Sequence, residues 1–296
     1  MNLMKQTIIS LFSLLFAFSI TTNLSAQDVI NFPDELEGWN YDWVAGLSGS
    51  QASYSNWSQG GVNNIAVTGN SEITALFRES RFSYGFLINT RYGKTSIQDE
   101  GTRKIADRLS LKNRFLYDLG EDDSDFKIFG NINFRTQFDK GFNYGGGPDG
   151  TDLLISDFMA PAYFSQNAGL AYIPTENFIF ETGLGLEQVF VRDRDLSETY
   201  GLDAGDRWRS EAGLTLSSSY SVRVGTNLNL KTSVDTFTAF GKALSSTNVY
   251  FSNRLVGRIN NFVNATLNLE LVYDDDFSNE LQVAQVLSLG VSFTLL

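Results

Sequence analysis

The stretch from Trp208 to Asp235 reads WRSEAGLTLSSSYSVRVGTNLNLKTSVD. Taking every second residue separates two rows. Trp208, Ser210, Ala212, Leu214, Leu216, Ser218 and Tyr220 form one, and Arg209, Glu211, Gly213, Thr215, Ser217 and Ser219 the other. The split returns with Val222, Val224, Leu228, Leu230 and Val234 against Arg223, Asn227, Asn229, Lys231 and Asp235. A period of two is the signature of a pleated strand, whose successive side chains point to opposite faces. The spacing predicts two long strands joined by a tight reversal near Tyr220-Ser221. One face is apolar with aromatic ends and the other polar and charged, as in a strand lying between lipid and water.

Working outward, the same pattern recurs about twelve times from Tyr41 to Leu295, an even number, as bacterial barrels usually have. From the second strand onward no acid or base falls on the apolar row. The spacing also predicts short connections at Glu79-Ser80, Pro174-Thr175, Tyr220-Ser221 and Asn260-Asn261. Long ones are expected at 55–62, 95–103, 140–161, 192–207, 237–247 and 274–280, and the run Gly145 to Gly150 reads as a flexible surface loop. Short turns on one side and long loops on the other is the outer-membrane arrangement. The expected fold is all-β, a transmembrane antiparallel up-and-down β-barrel.

Composition agrees with this reading. The 296-residue chain has 24 Phe and 12 Tyr against 4 Pro, and no stretch beyond the N-terminus offers the ~20 continuous apolar residues of a membrane helix. At the start, Lys5, the apolar run Ile8 to Ile20 and Leu24-Ser25-Ala26 read as an export signal cleaved before Gln27. The organisation expected is a signal peptide at 1–26, a periplasmic arm at 27–40 and a barrel at 41–296. Removing Lys5, the one charge in the signal, takes the net charge from −12 to −13. That balance argues against nucleic acid as a partner. The chain has no His and no Cys, so imidazole and thiol chemistry are excluded, and with them thiolate metal sites. No enzyme, metal or cofactor is expected.

The polar rows carry the functional candidates. Arg91, Arg108, Lys112, Arg114 and Arg135 come from three neighbouring strands, with Glu181, Glu187 and Glu211 on another wall and Glu72 beside the basic patch. They would line a path for a small polar or anionic solute. Alternatively they pair across a filled lumen and hold the barrel together, since buried charges need partners. The corresponding functions are a channel or binding site for a small polar solute, or an accessory barrel that docks another envelope protein through its loops.

One motif adds to this. Gln51, Asn56, Trp57, Gly60, Gly61 and Asn63 follow the first strand. The run resembles the hallmark of an uncharacterised family of exported β-barrel proteins from Bacteroidota, from about Trp39 through the barrel. The resemblance implies a location in the cell outer membrane, surrounded by lipid, with no established activity.

Overall fold

A computed structural model describes residues 29–53, 62–120, 124–274 and 278–295. The strands are β1 Gly38–Ala52, β2 Asn64–Glu79, β3 Phe82–Ile97, β4 Gly101–Asp118, β5 Phe126–Thr136, β6 Gly141–Asn143, β7 Leu153–Ser156, β8 Ala162–Thr175, β9 Phe178–Phe190, β10 Trp208–Gly225, β11 Leu228–Ala239, β12 Asn248–Arg258, β13 Val263–Asp274 and β14 Ser278–Thr294. Twelve of them close into an antiparallel barrel in which each strand pairs with its neighbours in sequence, and β6–β7 forms a separate hairpin between β5 and β8. The seam is β1 on β14, from Val44↔Thr294 to Ser48↔Gly290. Closure leaves no strand edge, so the backbone hydrogen bonds are satisfied within the ring.

The two faces sort as the alternation predicts. Leu184, Leu214, Leu287 and Leu289 stand exposed on the outside, while Ser83, Lys127, Glu181 and Ser233 are buried inside. In β1, where the sequence separates the faces poorly, pairing resolves them: Trp39, Tyr41 and Trp43 sit opposite Phe77, Ala75 and Ile73 of β2. Aromatic residues border the exterior at both ends. Trp39 stacks on Tyr41 and packs on Phe77 at the turn end, with Tyr84 on Phe115 and Phe126 on Tyr172 beside them. At the loop end Phe164 contacts Phe134 and Trp208, and Trp208 contacts Phe190. The two borders lie eight residues apart in β5 (Phe126 to Phe134) and twelve in β10 (Trp208 to Tyr220). At ~3.3 Å per residue and a tilt of about 40°, they bracket the ~25 Å apolar band of a membrane barrel.

Several connections differ from expectation. The reversal in the opening hairpin lies at Thr226-Asn227, because β10 continues with unchanged parity to Gly225 and ends in a bulge between Arg223 and Gly225. Tyr220 and Ser221 are ordinary strand residues there. β3 and β4 meet across three residues, Gln98 to Glu100, where a long loop is expected, and β13 and β14 likewise reach to Asp274 and Ser278. The polar residues counted as loop belong to strands that rise beyond the apolar band, so their outward side chains meet water. The segment from Gly145 to Gly150 is the tip of the β6–β7 hairpin, bridged by Gly147 N–H donating to Thr151 O at 2.8 Å.

The N-terminal arm has a definite place. β1 begins at Gly38, and the residues before it turn back into the lumen at the turn end. Ile30 and Phe32 are buried there against Leu87, Leu116, Phe129 and Ala171 of β3, β4, β5 and β8. Gly85 makes the room: a side chain there would start 2.7 Å from Ile30 and 3.1 Å from Phe32. The expected signal peptide lies outside the described residues.

The facing can be tested by two neighbouring substitutions. Leu214→Arg puts a charge against hydrocarbon and should cost about 2–4 kcal/mol, abolishing the heat-modifiable gel shift of the folded barrel. Ser217→Lys places a base on the inner face, where Ser217 already donates to Asp235 at 2.6 Å, and should leave the shift intact.

Candidate functional site

The lumen is layered, and β4 records the sequence of layers by depth. Its inward residues run from Arg108 and Lys112 near the loop end, through Arg114 and Leu116, to Asp118 at the turn end. At the turn end Asp118 forms a buried ion pair with Lys127 of β5. Above it lies the apolar layer made by Ile30 and Phe32 with the barrel wall. Next comes an ion pair across the lumen: Arg114 Nη2 lies 2.6 Å from Glu181 Oε1 on β9, and Arg114 Nη1 donates to Asn131 Oδ1 at 3.3 Å. Both side chains are almost wholly buried. The arm and the two ion pairs therefore occupy the turn-end half on the side of β3, β4, β5, β8 and β9.

Above them opens a polar chamber with about 170 Å³ of free space. Arg108, Lys112, Arg135, Glu187 and Glu211 all line it. Arg135 stacks on the Tyr163 ring at 4.5 Å, and Glu211 meets Lys242 at 2.9 Å and Arg209 at 4.0 Å. Arg114 stands apart from this group in the ion-pair layer, and Arg91 lies in electrostatic reach of Glu270 and Arg254. All seven charges fall on the inner face, as the alternation predicts, and Glu181, Arg209 and Asp235 stand on the predicted polar rows; what the sequence did not reveal is the pairing of Arg114 with Glu181 and the chamber's Tyr163 and Tyr250. The sequence reading assigns Asp274 to an exposed acidic loop. The structure instead turns it inward at the end of β13, buried and accepting from Tyr250 Oη at 3.0 Å. The apolar-polar-apolar run Ile30-Asn31-Phe32 before Pro33 was the available sign of a docked arm.

Folded loops lean over the loop end. Val189, at the top of β9, packs with Val191, Leu196, Tyr200, Leu202 and Ala160. Tyr200 Oη donates to Ile155 O of β7 at 2.6 Å, tying the β9–β10 loop to the hairpin, and burial pushes this phenol well above its ordinary range. Within the β9–β10 loop, Asp193 accepts from the Asp195 backbone N–H at 3.1 Å, so at least one of its acids serves local geometry. On the other side Lys104 Nζ of β4 reaches Asp107 Oδ2 (2.7 Å), Gln137 Oε1 (3.0 Å) and Asp139 O (2.7 Å), while Ser156 Oγ donates to Gln137 at 2.7 Å. The Tyr92 hydroxyl, then the Lys140 backbone N–H, hold the Asp139 carboxyl below the usual carboxylate range. Of the motif residues, Gln51 is exposed at the end of β1 and Asn63 donates to Gln98 Oε1 at 2.7 Å. Asn56, Trp57, Gly60 and Gly61 lie outside the described residues.

A family model described as "Protein of unknown function (DUF3078)" matches residues 50–142. That segment holds the five bases Arg91, Arg108, Lys112, Arg114 and Arg135. No curated protein matches the chain. Among solved structures, the chain is similar to an outer-membrane channel from Pseudomonas putida F1 at 11% identity, over 93% of this chain and 98% of that one, with a TM-score of 0.41. The NanC porin is 9% identical over 86% of this chain and 100% of that one, with a TM-score of 0.40. The translocator domain of the autotransporter NalP from Neisseria meningitidis is 11% identical over 99% and 97%, with a TM-score of 0.38.

The ion pair yields a stability prediction. Glu181→Gln leaves Arg114 buried without its counter-charge and should cost about 3–5 kcal/mol, read as a lower urea midpoint in detergent micelles. The double change Arg114→Met with Glu181→Gln should recover most of that loss.

Proposed function

We propose that the protein is an outer-membrane barrel that admits a small polar solute from the loop side and holds it in the chamber above a plugged periplasmic end. The observation that carries this reading is the division of the lumen. A charged, aromatic-lined space opens toward the loops, and the arm with the Arg114–Glu181 pair obstructs the other half. Short turns face the periplasm in barrels of this kind, which puts the arm on the periplasmic side and the chamber mouth outside the cell. An open conduit would need the turn end clear. The chemistry at hand is binding, since the chain contains neither imidazole nor thiol.

The accessory reading keeps one specific support: Leu153, Phe158, Phe240 and Leu244 are exposed on the loops, where an envelope protein would meet them.

The plug is tested by conductance. Wild-type protein in a planar bilayer should carry no steady current. Changing Ile30 and Phe32 together to Asp removes the arm's apolar hold without touching the barrel, and should give stepwise ion currents. Steady current through wild type would overturn the plugged reading in favour of an open pore.

A further inference from the structure

The charges lining the chamber are sorted by side. Arg108 and Lys112 belong to β4, whereas Glu187, Glu211 and Asp274 belong to β9, β10 and β13. In the twelve-strand ring β9, β10 and β13 lie three, four and five places from β4, so the acids occupy the far arc, from a quarter-turn round to nearly opposite the two bases. Arg135, Arg209 and Asp235 lie among and between these poles. Tyr163, Tyr250 and Phe237 present rings in the same space. Asn167 and Thr215 add polar side chains to the lining.

Opposed poles in a space walled by protein create a field across it, stronger there than the same charges would produce in bulk water. A solute of one sign gains at one wall and loses at the other. One that carries both signs gains at both, if it lies across the field. We propose that the chamber is a binding site for a small zwitterion of the amino-acid type. Its carboxylate turns to Arg108 and Lys112, its ammonium to Glu187 and Asp274, and its side chain rests on the rings. This rests on the plugged-chamber reading and names the solute class for it.

The test uses three matched probes on full-length protein in nanodiscs, titrated calorimetrically: phenylalanine, phenylalanine amide and N-acetylphenylalanine. The amide lacks the negative charge and the acetyl form lacks the positive one. Phenylalanine should bind at least tenfold more tightly than either. Lys112→Gln should shrink its advantage over the amide, and Glu187→Gln its advantage over the acetyl form, each leaving the other preference in place. The heat-modifiable gel shift confirms that both variants fold. Equal binding of phenylalanine and either derivative overturns the zwitterion assignment, as does failure of all three to bind. Silent wild-type bilayers would stand in either case, because conductance reads the plug and calorimetry reads the poles.

Discussion

The whole molecule depends on the closed ring of backbone hydrogen bonds. Within a membrane every N–H and C=O must find a partner in the protein, and twelve antiparallel strands joined β1 to β14 do this without leaving an edge. Closure imposes a second condition. Each strand has one face turned to the exterior and one to a confined interior, so every outward Leu is flanked in sequence by residues turned inward. Leu214 and Ser217 show the result on one strand.

The interior created in this way is too wide to be filled by small residues and too narrow to leave charges fully solvated. Two solutions appear in the same lumen. At the turn end the chain supplies its own apolar filling, Ile30 and Phe32, and crosses the space with Arg114 and Glu181. Nearer the loops the charges remain in contact with an open chamber. The sequence supports two readings of the basic row, structural pairing and solute contact, and the structure places different members at sites suited to each. Arg114 lies in a buried pair, while Arg108, Lys112 and Arg135 line the chamber.

The ring and its facing were legible in the sequence because parity is a local property, readable within a strand wherever the two rows differ in polarity, as they do from β2 onward. Positions of turns were less so: Tyr220-Ser221 and Thr226-Asn227 share the same alternation, and only pairing with β11 shows which one reverses the chain. Partners across the lumen were the least legible. Arg114 could face Glu72, Glu187 or Glu211 as easily as Glu181, because the choice depends on how far each strand is staggered around the ring. The arm escaped notice for a different reason. Two apolar residues carry too little pattern to reveal that they pack on strands more than fifty residues away.

The loop end has a property that follows from how it is fastened. Lys104 joins the tall β3–β4 wall to the segment around Gln137 and Asp139, Ser156 continues the connection into the hairpin, and Tyr200 carries it on to the β9–β10 loop. These links form a braced chain along one arc of the rim, from β4 round to the β9–β10 loop. Segments tied at this many points cannot swing without breaking their links, so this arc of the rim keeps one shape beside the mouth.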